Sequence, residues 1–165
     1  MKRILGIDPG SRITGYGVID VEGSHNTHIG HGCIRTTQQE FSLRLGEIFS
    51  GITAIIEDYR PDEVAIEDVF VSKNASSALK LGQARGAAIC AAVNLSCPVF
   101  EYTPRLVKQS VVGKGSAEKE QVQHMVKIML NLRKPLPIDA SDALGIALTH
   151  AHLHSTKLLI ESNRR

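Results

Sequence analysis

The chain has 165 residues, 42% of them hydrophobic, and a formal net charge of +2. That composition fills one core, and no run approaches the roughly 20 apolar residues of a membrane span, so the sequence predicts one soluble, cytoplasmic domain. Cys33, Cys90 and Cys97 include no C-x-x-C pair, which argues against a disulfide framework and a zinc ribbon and leaves buried free thiols as the expectation.

Residues 3–8, 13–21 and 27–36 are rich in Ile, Val, Thr and Tyr with glycine-containing breaks, and predict three consecutive antiparallel strands. The first ends in Asp8-Pro9-Gly10, a turn sequence in which proline fixes one backbone angle and glycine takes the left-handed one. From Phe41 the apolar positions follow a three-four spacing through Ile48, Ile52, Ile55 and Tyr59, a stripe along a helix that Pro61 ends. EVAIEDVF, from Glu63, is short and largely apolar, as expected of a fourth strand. Residues 75–94 predict a helix with Gly82 and Gly86 on the face of Ile89 and Val93; these small residues suggest tight packing on the domain's own sheet, with a dimer face as the alternative. PVFEY predicts a fifth strand, and Thr103-Pro104 the cap and first turn of a helix. A further helix follows Ser116 to about residue 131, and after RKPLP a last helix runs from about Asp139 to the mid-150s. Residues 1–157 thus read as one domain and 158–165 as a polar, frayed tail. Hairpin-linked strands followed by strand-helix alternation imply an α/β fold: a mixed five-stranded sheet with helices on both faces.

Charge is unevenly distributed. Arg105 to Lys134 holds seven Lys or Arg against two acids, whereas Glu57 to Asp68 holds six acids and only Arg60. An anion-attracting surface could therefore lie beside a cation-binding cleft, although charge alone fits an ordinary solvated face equally well. Within the acidic set, Asp8 ends the first strand and Glu67 lies near the end of the fourth, in the apolar setting VAIEDVF. Asp139 and Asp142 share one face of the first turn of the last helix. Each has a purely structural reading, as turn former, helix cap or strand-end acid. Together, four carboxylates converging from three elements repel one another, and a hard divalent ion resolves that repulsion. An oxygen-only set suits Mg²⁺, with Mn²⁺ as substitute, and two ions about 3.5–4 Å apart can drive phosphodiester hydrolysis.

The blocks GIDPGSRITGYGVI, AIEDVFVSKNASSALKLGQARG, VKQSVVGKGSAEKEQV and DASDALGIALTH resemble the RuvC family of bacterial Holliday junction resolvases over nearly the whole chain. The resemblance implies a ribonuclease H-like fold and a homodimeric, Mg²⁺-dependent endonuclease, and the carboxylate chemistry above suggests two ions per subunit. It would nick two strands of like polarity symmetrically across four-way junction DNA, leaving 5′-phosphate and 3′-hydroxyl ends. It would work in recombination and repair with the RuvA and RuvB branch-migration proteins. The family's four acids fall on Asp8, Glu67, Asp139 and Asp142, with no departure. Phe70 falls in the block that meets the junction centre, where its ring could stack on a base; without the resemblance a core role is the simpler one. Lys119 and Lys108 could neutralise charge at the scissile phosphate, Lys119 being the catalytic candidate and Glu118 and Glu120 its alternative partners. Lys73, Arg85, Arg105 and Lys114 are candidates for backbone-phosphate contacts.

Structured RNA or linear duplex is the second substrate reading, an actin-like ATPase suggested by GIDPG the third, and an inactive junction-binding scaffold the fourth. GKGS at Gly113 lacks the glycine and the Ser or Thr of a phosphate loop. In HAHLH, His152 points away from His150 and His154 on a helix, which argues against a three-histidine zinc site.

Overall fold

The computed structural model describes residues 1–68 and 74–162, with side chains described as far as His154. Its elements are β1 (Lys2–Asp8), β2 (Ile13–Glu22), β3 (His25–Arg35), α1 (Phe41–Tyr59), β4 (Glu63–Glu67), α2 (Ala75–Asn94), β5 (Val99–Tyr102), α3 (Pro104–Val112), α4 (Lys119–Met129) and α5 (Ile138–Ser162). The strands form one sheet in the order β3-β2-β1-β4-β5. β1, β2 and β3 are antiparallel neighbours, and β4 lies parallel to both β1 and β5. The helical backbone of α5 continues to Ser162, past residue 157, where the sequence pattern ended the domain.

Strand alternation divides the apolar residues between two faces. Leu5, Ile7, Val64 and Ile66 pack with Ile48, Ile52, Ala84 and Ala88 of α1 and α2. Ile4, Ile19 and Ala65 pack on the other face with Leu144, Ala147 and Leu148 of α5, over which Val107, Val111, Val122 and Val126 of α3 and α4 close. Asp8 is in phase with Ile4, and Glu67 with Ala65, so both carboxylates belong to the α5 face.

α5 lies directly on backbone because the strands beneath it carry glycine. A Cβ on Gly6 would fall 2.0 Å from the Ala143 carbonyl oxygen, one on Gly15 2.0 Å from that of Asp139, and one on Gly17 2.5 Å from Leu144 Cγ. Gly6 pairs with Gly17, and Gly15 with Asp8, so the bare patch runs across β1 and β2 toward the end that carries Asp8.

Three local expectations are corrected. Gly10 does not take the left-handed conformation, since glycine φ is positive only at Gly23 and Gly113 among the described residues. What requires glycine there is the Ile13 carbonyl oxygen, 2.0 Å from where its Cβ would stand. Gly82 and Gly86 do not pack on the sheet: a Cβ on either would meet nothing within 4 Å, because Ala84, Ala88, Ala91 and Ala92 form the inward face of α2. Of the three free cysteines only Cys97 is buried, and Cys90 is exposed.

Candidate active site

The carboxyl ends of β1 and β4 lie side by side, Ile7 pairing with Ile66 just before Asp8 and Glu67. Proline after Asp8 turns the chain away, and Thr14 closes the turn, its Oγ1 donating to the Gly10 carbonyl at 2.9 Å. α5 begins above this edge, and three-residue spacing puts Asp139 and Asp142 on one side of its first turn.

Three of the four acids are held above the ordinary carboxylate range, and the charge of Asp139 contributes to two of those rises. Burial, then the charges of Glu67, Asp142 and Asp139, push Asp8 up to about 8. Burial and then Asp142 push Glu67 up to about 7, and Lys119 and Lys108 oppose the rise. Asp142 is also raised, by burial first, with Asp139 adding to it and Lys119 opposing. Excess negative charge under partial desolvation is what a site for a hard cation has before the cation arrives. The oxygen donor set therefore fits a divalent ion of the magnesium type.

Lys119 is the compensating cation. Its Nζ lies 2.6 Å from Asp142 Oδ2. Burial opposes its charge, but Asp142, then Asp8 and Asp139, outweigh this and raise its pKa. A lysine at the first position of α4 faces the positive end of the helix dipole, an arrangement local helix stability disfavours. Neither Glu118 nor Glu120 is its partner; Glu118 caps α4, its N–H donating to Gln121 Oε1 at 2.9 Å. Lys108 is half-buried on α3 and acts on Glu67 through its charge.

The remaining cations differ in their engagement. The Arg85 Nε–H donates to the Glu67 carbonyl oxygen at 2.9 Å, and the same guanidinium pairs with Asp68 and Glu101. Its position is explained by holding the ends of β4 and β5. Arg105 and Lys114 are exposed, the latter beside the left-handed Gly113 that ends α3. Phe70 and Lys73 lie outside the described residues. The sequence reading missed the glycine bed beneath α5; its signal is the run of glycines at alternate positions Gly15 and Gly17 facing Gly6.

Sheet order, the helix laid across it and acid-rich strand ends define the class: a ribonuclease H-like nuclease fold. The chain belongs to the RuvC family, since residues 4–150 match the family model described as crossover junction endodeoxyribonuclease RuvC. It is 57% identical to the crossover junction endodeoxyribonuclease RuvC of Vibrio cholerae serotype O1 over 160 residues, 97% of this chain and 92% of the relative. The Cronobacter sakazakii protein of the same name is 57% identical over 99% of this chain and 95% of its own. Among solved structures, T. thermophilus RuvC in complex with a Holliday junction substrate superposes with a TM-score of 0.89 at 36% identity, covering 95% of this chain and 97% of that one.

Proposed function

We propose that this chain is a structure-specific endonuclease that resolves four-way DNA junctions by metal-dependent hydrolysis, with Asp8, Glu67, Asp139 and Asp142 as the metal-holding set. The observation that carries this reading is the placement of Asp8 and Glu67 at neighbouring strand ends beside the first turn of α5, where burial and neighbouring charge raise Asp8, Glu67 and Asp142. Those four side chains would hold Mg²⁺, or Mn²⁺ in its place, two ions per subunit; when bound, this chemistry activates water and stabilises the leaving oxygen. Asp8 and Glu67 face the α5 side of the sheet, where the ions would be held. Lys119, tethered to Asp142, sits where it can shift toward a phosphate oxygen that gains charge. Arg85 fixes the backbone of Glu67 and so the direction of that carboxylate. Exposed Arg105 and Lys114 supply sequence-independent phosphate contacts, while Phe70 and Lys73 are assigned to the junction by resemblance.

One such site cuts one strand, so symmetric nicking calls for a two-fold dimer on a two-fold junction. The outer face of α2 suits that contact: Leu79 is 69% and Val93 61% exposed, flanking the open Gly82 and Gly86. The proposal includes action beside RuvA and RuvB in recombination and repair, in the cytoplasm; no helix among the described residues is long and apolar enough to cross a membrane. The test is Asp8→Asn. It is expected to keep junction binding while losing cleavage, with a linear duplex of the same sequence left uncut by the parent. Cutting by the variant at the parental rate would overturn the assignment.

A further inference from the structure

β4 carries a carboxylate at each end on its α5 side. Glu67 serves the site above; Glu63, four residues and about 13 Å away, opens toward the middle of α5 at the opposite edge of the sheet. There it meets His150 and His154, whose i, i+4 spacing puts both imidazoles on one face of the helix. One donor atom from each of Glu63, His150 and His154 lies within 4.8 Å of the others.

We propose that Glu63, His150 and His154 form a site for a divalent ion of the zinc class, which clips the middle of α5 to the start of β4.

The donors, two imidazole nitrogens and a carboxylate oxygen, suit zinc, cobalt or nickel rather than magnesium, and three protein ligands leave a fourth position for water. His150 is 1% exposed and its ring is already oriented: Tyr102 Oη lies 2.5 Å from Nδ1, and the Phe100 ring lies against it at 4.6 Å. A partner on the second ring nitrogen is what fixes a ligating histidine. Without an ion, His150 Nε2–H donates to Glu63 Oε2 at 2.7 Å, because a carboxylate only accepts, and Nδ1 accepts from the Tyr102 hydroxyl. Binding takes the other tautomer. The proton passes from Nε2 to Nδ1, the Tyr102 hydroxyl turns its own hydrogen away so that Nδ1–H donates to Oη, and Nε2 presents its lone pair with no net loss of a proton from the ring.

Lys2 marks the position of positive charge. Its Nζ lies 2.7 Å from Glu63 Oε1 and 3.3 Å from His154 Nε2, so an ammonium stands among the same donors. With its side chain 39% exposed, Lys2 can withdraw into water when a divalent ion replaces it.

Cobalt(II) is the probe, since tetrahedral coordination by nitrogen gives strong visible absorption that an octahedral oxygen site does not. The full chain is titrated with Co²⁺ under excess Mg²⁺, which occupies the oxygen cluster at the other edge. The parent is expected to show tetrahedral bands saturating at one ion per chain. His154→Gln should weaken that binding by at least about tenfold, and Lys2→Gln should tighten it by removing the competing ammonium. Circular dichroism of both variants confirms the fold independently of nuclease activity. Absence of tetrahedral bands in the parent, or their persistence at equal affinity in folded His154→Gln, would overturn the proposal.

Discussion

Lys119 Nζ stands 2.6 Å from Asp142 Oδ2, joining the first residue of α4 to the first turn of α5. Because Lys119 lowers the pKa of Asp8, Glu67 and Asp142, replacing it with Met lets all three rise further. The acidic limb of the pH–rate profile should therefore move to higher pH. If the ammonium also neutralises developing charge, kcat falls by about 10²-fold or more, with binding little changed. Single-turnover cleavage across pH separates the two effects, and Lys119→Arg should recover the pH profile before it recovers the rate.

Asp8 is predicted to destabilise the metal-free fold at neutral pH. Its folded pKa, about 8, lies above the ordinary carboxylate value of 3.8. Between those values the folded state holds a proton that the unfolded state has released, so stability falls as pH rises through this window. Asp8→Asn removes the penalty. The metal-free variant should melt above the parent at pH 8, by roughly 2–4 °C per kcal/mol recovered, and the gap should close toward pH 4. Equal melting temperatures at pH 8 would show that the carboxylates are not strained together.

The same linkage sets the response to magnesium. Mg²⁺ binds deprotonated carboxylates, so it should raise the melting temperature strongly at pH 8 and weakly at pH 5, where Asp8 and Glu67 hold protons. Chelator titration in a calorimeter measures both. A gain independent of pH would place magnesium on other groups.

Two glycines should respond in opposite ways. Gly15→Ala drives a methyl into the Asp139 carbonyl and should cost about 1–3 kcal/mol while reducing cleavage beyond the loss of folded protein. Gly82→Ala meets open space in a helix and should stabilise the monomer by up to about 1 kcal/mol, while weakening dimerisation if α2 forms the two-fold contact. Chemical denaturation and sedimentation equilibrium report the two quantities separately.

Arg85 and Lys114 should separate a structural cation from a phosphate contact. Lys114→Ala is expected to shallow the salt dependence of junction affinity by about one unit of slope. Arg85→Ala should leave that slope unchanged and lower stability and cleavage together, because it frees the Glu67 carbonyl, Asp68 and Glu101. Affinity measured across a salt series decides.

The elements were legible from local signals: short apolar runs in β1 and β4, three-four spacing in α1, and a capped start at Thr103, whose Oγ1 accepts from the Leu106 N–H. The acids followed from strand ends and helix spacing, Asp8 and Glu67 closing their strands and Asp139 standing three residues from Asp142, whereas the shared face of Asp8 and Glu67 emerged only with the sheet. Long-range pairings were not legible. Nothing local distinguishes Asp142 from Glu118 as the partner of Lys119, and His150 meets Glu63 across 87 positions of sequence. The α2 glycines misled because small residues signal close approach without saying to what; their neighbours at Ala84 and Ala88 had already filled the inward face.

The seat of α5 has a mechanical consequence. A helix resting on side chains can ride up or down as rotamers change, but Gly6 and Gly15 offer no rotamers, so there main chain bears on main chain. Its height above the sheet is a hard stop rather than a spring, and Asp139 and Asp142 inherit that stiffness. Any thermal slack in this centre must then come from the strand-end turns and from Lys119, not from the helix.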